Sequence, residues 1–366
     1  MLLNRTQKGF SLIELMISLT LGLLISAAVM QVYLTSIKTS SVQSGGTDIL
    51  EASIFGIQNI EKSIRLSNLG MADSNNPFTP LAGVVMTSDT RLVSASQTDK
   101  SKNNMNGIKM GGTVTSAGTD AIDAKYLTKS GIAASNITGL TSSQLTIQYE
   151  APQDMYDCEG TLVRGPIEIE RDGRLELIPG QVIVQRYYLR EVAQNDKSNY
   201  ESNIKSYELR CDAGRYVKEI LNPTELDLQK INDSTILKES RNIRDFGDAG
   251  EVVIPRVDYF GVRLGVEIID SSTSSVTLRY FTPEQYMSYL KDLSATSTIT
   301  TDIISVKLSA LVRADRPLTG ETGASNFTIF GEPKTLSADT SKAFIRRVYE
   351  SNIMLRNSRA IKESSI

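Results

Sequence analysis

KGFSLIELMISLTLGLLISAAVMQVYL, Lys8 to Leu34, is the stretch on which the reading of the whole chain turns. From Phe10 to Leu34 the only formal charge is Glu14. At roughly 1.5 Å per residue, this run of about 25 residues reaches about 37 Å, enough to cross a hydrocarbon core of about 30 Å with some tilt. Arg5 and Lys8 precede it without an acid, and the next cation is Lys38. That asymmetry puts the N-terminus on the cytoplasmic side and the rest of the chain outside. A secretory signal cut near Ser26-Ala27-Ala28 and a plain anchor are the simpler alternatives, although the apolar run exceeds the about 7–15 residues usual for a signal. Neither explains Glu14. A carboxylate in lipid costs upward of about 2.5 kcal/mol and needs a partner. Cutting the chain between Gly9 and Phe10 would supply one, a terminal ammonium within the same first turn or on an adjacent subunit. The helix N-terminus would add a smaller favourable field.

KGFSLIELMISL, Lys8 to Leu19, resembles the class III signal of type IV pilins and type II secretion pseudopilins. The resemblance implies a leader ending at Gly9, removed on the cytoplasmic face by a prepilin peptidase that also N-methylates Phe10. It implies that Glu14 aligns an incoming subunit through the neighbouring subunit's terminal amine. Arg5 and Lys8 share the basic character of such leaders.

Composition points away from catalysis. Among 366 residues there is no histidine, which removes His-based acid/base chemistry, a Ser-His-Asp arrangement and His-rich metal sites. The charge balance, Lys+Arg 39 against Asp+Glu 42, excludes a strongly basic nucleic-acid binder on composition. No cofactor or metal is expected. The two cysteines, Cys158 and Cys211, cannot build a thiolate zinc site, and in an oxidising compartment they are expected to form a disulfide. Closing that loop of about 54 residues would contribute roughly 4 kcal/mol by chain entropy.

Five segments follow: a leader at 1–9, a transmembrane or filament-core helix at 10–34, its amphipathic continuation at 35–66, a β-rich head at 67–357 and a flexible tail at 358–366. Leu50, Ile54, Ile57 and Ile64, joined by Ile49 and Ile60, predict the face that packs on the head. Gly45-Gly46 is a plausible bend. Residues 93–140 read as exposed loop with brief strands, and Gly111-Gly112 lacks the continuation of a phosphate-binding loop. Alternation and β-branched content predict strands at 145–150, 175–179, 182–190, 204–211, 257–269, 275–281 and 303–315, with 341–357 closing the fold. Loop-length links favour antiparallel pairing. EQYMSYLKDL, 284–293, is a short helix or irregular linker. Tyr187, Tyr188, Tyr207, Tyr259, Phe260, Tyr280 and Phe281 are read as core and cross-strand contacts, with a binding stripe as the alternative.

VDYFGVRLGVE at 257–267, ISVKLSALVRAD at 304–315 and RRVYESNIMLRN at 346–357 resemble the PilW family of minor pilins. This resemblance implies an α+β pilin-like fold: a long N-terminal helix packed on an antiparallel β-sheet head with long loops. It implies a J-type minor pilin in the inner membrane of a Gram-negative cell. Such a subunit has a single span and a periplasmic head, and it is incorporated into the extracellular pilus or at its tip. Its implied partners are other minor pilins and the major pilin, the prepilin peptidase, the inner-membrane assembly platform and membrane lipid. Its implied role is to initiate pili that serve twitching motility, adhesion and DNA uptake. A J-type pseudopilin of a type II secretion system is the closest rival. A tip subunit whose loops at 93–140 and 191–205 touch DNA or a surface is the binding-module alternative.

Overall fold

The computed structural model describes residues 9–88, 103–105, 107–110, 122–171, 174–202, 204–218, 242–293, 297–318, 322–338 and 340–358. Arg5, Lys8, residues 93–102, Gly111-Gly112 and most of the tail lie outside them.

Helix α1 spans Leu12–Leu66 without interruption, because 55 residues free of proline follow a strong start signal. Ser11 caps it, and the helix passes through Gly45-Gly46 unbroken. Those glycines are therefore not a break in the helical hydrogen-bonding pattern. A Cβ on Gly45 would lie 3.4 Å from Ala314 and 3.5 Å from Ile345, so the helix lies close against the head at this point. Gly56 permits a closer approach still, since a Cβ there would sit 2.3 Å from Ile254.

Between these contacts the helix buries Ile49, Ile60 and Ile64. Leu50 and Ile54, expected on the packed face, are 37% and 42% exposed. Leu50 is one residue, about 100° of helical turn, beyond the buried Ile49, and the seam runs instead through Gly56 and Ile60.

The remaining elements, in chain order, are strands β1 (Lys109–Met110), β2 (Lys129–Ala133), β3 (Ser142–Glu150), β4 (Met155–Tyr156), β5 (Leu162–Val163), β6 (Ile167–Arg171), β7 (Arg174–Ile178), β8 (Val182–Glu191), β9 (Tyr207–Tyr216), β10 (Asn242–Ile243), β11 (Glu251–Ile254), β12 (Val257–Asp270) and β13 (Ser275–Phe281), helix α2 (Pro283–Asp292), and strands β14 (Ile299–Pro317), β15 (Asn326–Ile329), β16 (Glu332–Thr335) and β17 (Phe344–Met354). Two antiparallel sheets carry the head, one ordered β11-β9-β8-β3-β2 and the other β13-β12-β14-β17. The fold is thus a long N-terminal helix packed against an antiparallel head with long connections. The expected strand at 204–211 is corrected: it starts at Tyr207 and runs on to Tyr216, which places Cys211 mid-strand rather than at a strand end. The 284–293 segment is helical, opened by a capping box between Thr282 and Gln285 with Pro283 at its first turn.

Strand alternation makes two cores out of one sheet. On β8, Ile183, Tyr187 and Leu189 face the core shared with α1 and β12, while Val182 and Val184 face a second core with Met105, Ile108, Ile122 and Phe246. The described parts of the 93–140 region therefore do not form only an exposed loop. Met105, Ile108 and Ile122 cover the far face of the first sheet. Of the seven aromatics, Tyr187, Tyr207, Tyr259, Phe260 and Phe281 are buried, Tyr188 is half-buried and Tyr280 is exposed. A continuous binding stripe is therefore ruled out.

Candidate functional site: the N-terminal helix and its seat

Glu14 is held by the start of its own helix. The Ser11 hydroxyl accepts from the Glu14 amide at 3.2 Å, and the Ser11 amide donates back to Glu14 Oε2 at 3.4 Å. This capping box is legible in the sequence as Ser11-x-x-Glu14 and engages the carboxylate without a counter-charge. Gly9 and Phe10 stand before the cap in non-helical, exposed backbone, so the peptide bond between them is free of the helix. The apolar half of α1 makes no contact with the head. Its most hydrophobic 18-residue window is 0% buried, and it is long and apolar enough to cross a membrane, a test that a signal segment near an N-terminus also passes. Two of its hydroxyls are satisfied within the helix: Ser18 donates to the Glu14 carbonyl at 2.5 Å and Thr20 to the Ile17 carbonyl at 2.9 Å.

The other end of α1 is locked to the head by side chains that sequence patterning does not single out. Glu61 pairs with Arg65 at 2.6 Å and accepts from the Ser351 hydroxyl at 2.6 Å. Just past the helix, Asn68 adopts φ 68° and bridges three segments: it donates to the carbonyls of Ala72 and Asn357, both at 2.7 Å, and accepts from the Gly83 amide at 2.8 Å. The segment preceding the tail is thereby tied to the point where the helix ends.

Inside the head, four charges from four elements meet. The Arg313 guanidinium donates to Glu201 at 2.5 Å and to Ser206 at 2.9 Å, lies 3.6 Å from Asp258, and stacks 4.6 Å from the centre of the Phe344 ring. Arg346 meets the other Asp258 oxygen at 2.6 Å, and Asn136 donates to Asp258 at 2.7 Å. Asp258, Arg313 and Arg346 side chains are at most 1% exposed. Burial alone would raise the Glu201 carboxyl, but the hydrogen bonds from Arg313 and Ser206 hold it below its ordinary value. The 191–205 connection is therefore pinned at Glu201 to the second sheet.

Cys158 and Cys211 form a disulfide with a Cα–Cα distance of 6.2 Å, tying the β4–β5 turn to the middle of β9. Beside it, Arg186 pairs with the fully buried Asp212 at 2.6 Å and lies between the rings of Tyr126 and Tyr188, at 4.6 and 4.0 Å. Carboxylate oxygens of Glu159, Asp212 and Asp248 come within 4.8 Å of one another. Burial, opposed by the Ala213 amide and reinforced by Asp248, Asp212 and Asp157, pushes the Glu159 carboxyl from 4.5 up to about 7. The folded state thus retains a proton that the unfolded chain releases. This contribution to stability is full below about pH 4.5 and is lost as pH rises through about 7. Glu159→Gln is expected to raise the thermal midpoint at pH 8 and leave it little changed at pH 4, measured by thermal unfolding of the detergent-solubilised chain. An unaltered pH dependence would locate the titration elsewhere.

Similarity to known proteins lies at both ends of the chain. The family described as Prokaryotic N-terminal methylation motif matches residues 4–30. The family described as PilW, Type IV Pilus-assembly protein W, matches residues 229–357, which include β12, β13, β14 and β17. No curated protein sequence matches the chain. Among solved structures, the type IV-like pilin TTHA1219 from Thermus thermophilus is similar at 13% identity and a TM-score of 0.23, over 63% of this chain and 82% of that one. The methylation motif, the partial PilW match and the long helix seated on an antiparallel head together place the chain, as a distant relative, in the type IV pilin and pseudopilin superfamily.

Proposed function

We propose that this protein is a minor pilin that helps to initiate and assemble a type IV pilus, with its head at or near the tip. The observation that carries the reading is the combination at the N-terminus: Gly9-Phe10 ahead of the cap, Glu14 in the first turn, and a wholly exposed apolar helix behind them. A helix of that kind has no use for its surface unless lipid or other helices cover it. The PilW match over residues 229–357 supports the pilus over a secretion system. In this reading 1–9 is a leader, 10–34 holds the subunit in the inner membrane and then in the filament core, 35–66 continues the helix as an amphipathic seat, and 67–357 is a periplasmic head that binds sibling pilins, ahead of a flexible tail at 358–366. The chemistry is assembly rather than catalysis.

The test is the N-terminal peptide mass of the membrane-extracted chain, with and without prepilin peptidase. A peptidase-dependent terminus at N-methylated Phe10 is expected; an intact Met1 or a cut near Ala28 would overturn the reading. Once Phe10 is free, its ammonium competes with the Ser11 amide for Glu14. Glu14→Ala is therefore expected to leave the protein in the membrane but reduce pilus number several-fold, counted by electron microscopy. Unchanged piliation would remove Glu14 from the assembly step.

A further inference from the structure

β13 is an edge strand of the second sheet. It pairs with β12 on one side through seven consecutive register positions, Leu264–Asp270 against Phe281–Ser275, with no bulge. It is terminal in its sheet, and among the described residues no strand pairs with its other side. Six of its seven residues, Ser275 to Tyr280, are exposed. Open edges in soluble proteins are ordinarily blunted by charged side chains, lysine above all, by proline, by a bulge or by a covering element, because their free amides and carbonyls attract any passing strand. SVTLRYF contains neither lysine nor proline, and its one charge is Arg279.

The side chains add a second, independent signal. Leu264, Val266 and Ile268 point into the core, so Gly265, Glu267 and Ile269 lie on the outer face together with their partners Tyr280, Leu278 and Val276. Val276, Leu278 and Tyr280 are 61%, 49% and 38% exposed, and the Tyr280 hydroxyl accepts from the Asn352 side-chain amide on β17 at 2.8 Å. The β15–β16 hairpin covers this sheet from Tyr259 and Leu311 as far as Arg263 and Lys307, through Phe330 and Glu332. An apolar row therefore runs beside the open edge. The opposite face of β13 presents Arg279, whose guanidinium stacks on Phe281 and Tyr289 at 5.1 and 5.9 Å and pairs with no carboxylate among the described residues.

We infer that β13 is completed by an extended strand from another pilin-like polypeptide, one with apolar side chains alternating along the Val276-Leu278-Tyr280 face and an acidic residue opposite Arg279. Only a strand can satisfy a row of free main-chain groups at one edge, and an acid is what the unpaired guanidinium selects. A second copy of this chain is the poorer fit: SVTLRYF holds no acid, so β13 against β13 would bring two arginines to one interface without a carboxylate. The inference rests on the assembly reading but makes a separate claim about the head.

The test uses the full-length chain in cells carrying its assembly system, with a photo-reactive phenylalanine analogue placed in turn at Val276, Leu278 and Tyr280. Cross-linked peptides located by mass spectrometry are expected on one partner polypeptide, at positions that step by two residues as the probe does. Leu278→Lys in the probe-at-276 chain is expected to reduce that adduct at least tenfold while leaving the thermal midpoint unchanged, since Leu278 is exposed. Scattered positions, adducts to a second copy of this chain, or no adduct would each overturn the inference. N-terminal processing of the same samples is read in parallel. A chain correctly cut at Phe10 that gives no ladder refutes the strand partner alone, whereas an uncut chain refutes the assembly reading.

Discussion

Asp258→Ala is expected to destabilise the head by about 3–5 kcal/mol, the range for removing one partner of a buried ion pair. Asp258 is 0% exposed and divides its two oxygens between Arg346 at 2.6 Å and Arg313 at 3.6 Å. Without it, two buried guanidinium groups are left with Glu201 alone. The cost arises from desolvated positive charge that no water reaches, rather than from the lost attraction itself. For a head of this size, a loss of that order lowers the thermal midpoint by about 10 °C. Thermal unfolding of the detergent-solubilised chain reads it, with Asp258→Asn as the companion variant. The amide keeps the shape and the acceptor while losing the charge, and is expected to fall between wild type and alanine. A loss below about 1 kcal/mol for alanine would mean that water reaches the cluster and that the network does not hold the 191–205 connection in place.

Gly9→Leu is expected to abolish leader removal, with cleavage slowed about 100-fold or more, the scale on which a misplaced reacting bond slows an enzyme. A Cβ at Gly9 meets nothing within 4 Å, so the substitution leaves the fold of this chain untouched. The effect therefore reports on what a peptidase accepts next to the bond. Intact mass distinguishes the outcomes, because the uncut chain retains its first nine residues, and pilus counts follow as a second readout. Normal processing of Gly9→Leu would disconnect Gly9 from cleavage and leave Glu14 without a new ammonium to meet.

The two variants probe opposite ends of what is legible in sequence. Glu14, the apolar run and the glycine before Phe10 are neighbours along the chain, and their chemistry follows from local rules: helix length, charge in lipid, capping. The same holds for the long strands of the two main sheets, since VIVQRYYLR and VDYFGVRLGVEII carry enough β-branched and aromatic content to declare themselves. Local rules also mislead in identifiable ways. Asp212-Ala213-Gly214 looks like the end of a strand, yet β9 continues through it because Arg186 on the neighbouring strand neutralises Asp212. The polar 93–140 region reads as exposed loop with brief strands, yet Met105, Ile108 and Ile122 are core.

Sequence by itself determined that this chain begins with a helix long enough to span a membrane, that its first turn carries one uncompensated carboxylate, and that an antiparallel head follows. Those properties depend on composition and period, which read out within about 20 residues. Tertiary structure alone decided which side of the helix meets the head, where Gly56 and not Leu50 or Ile54 lies against a strand. It alone decided that Arg313 finds Glu201 across 112 residues and that Arg346 finds Asp258 across 88. It alone left β13 as an open edge. The physical reason is the same in each case: a buried charge or an unpaired strand is defined by what packs against it, and that neighbour comes from a distant part of the chain or, at β13, from another polypeptide.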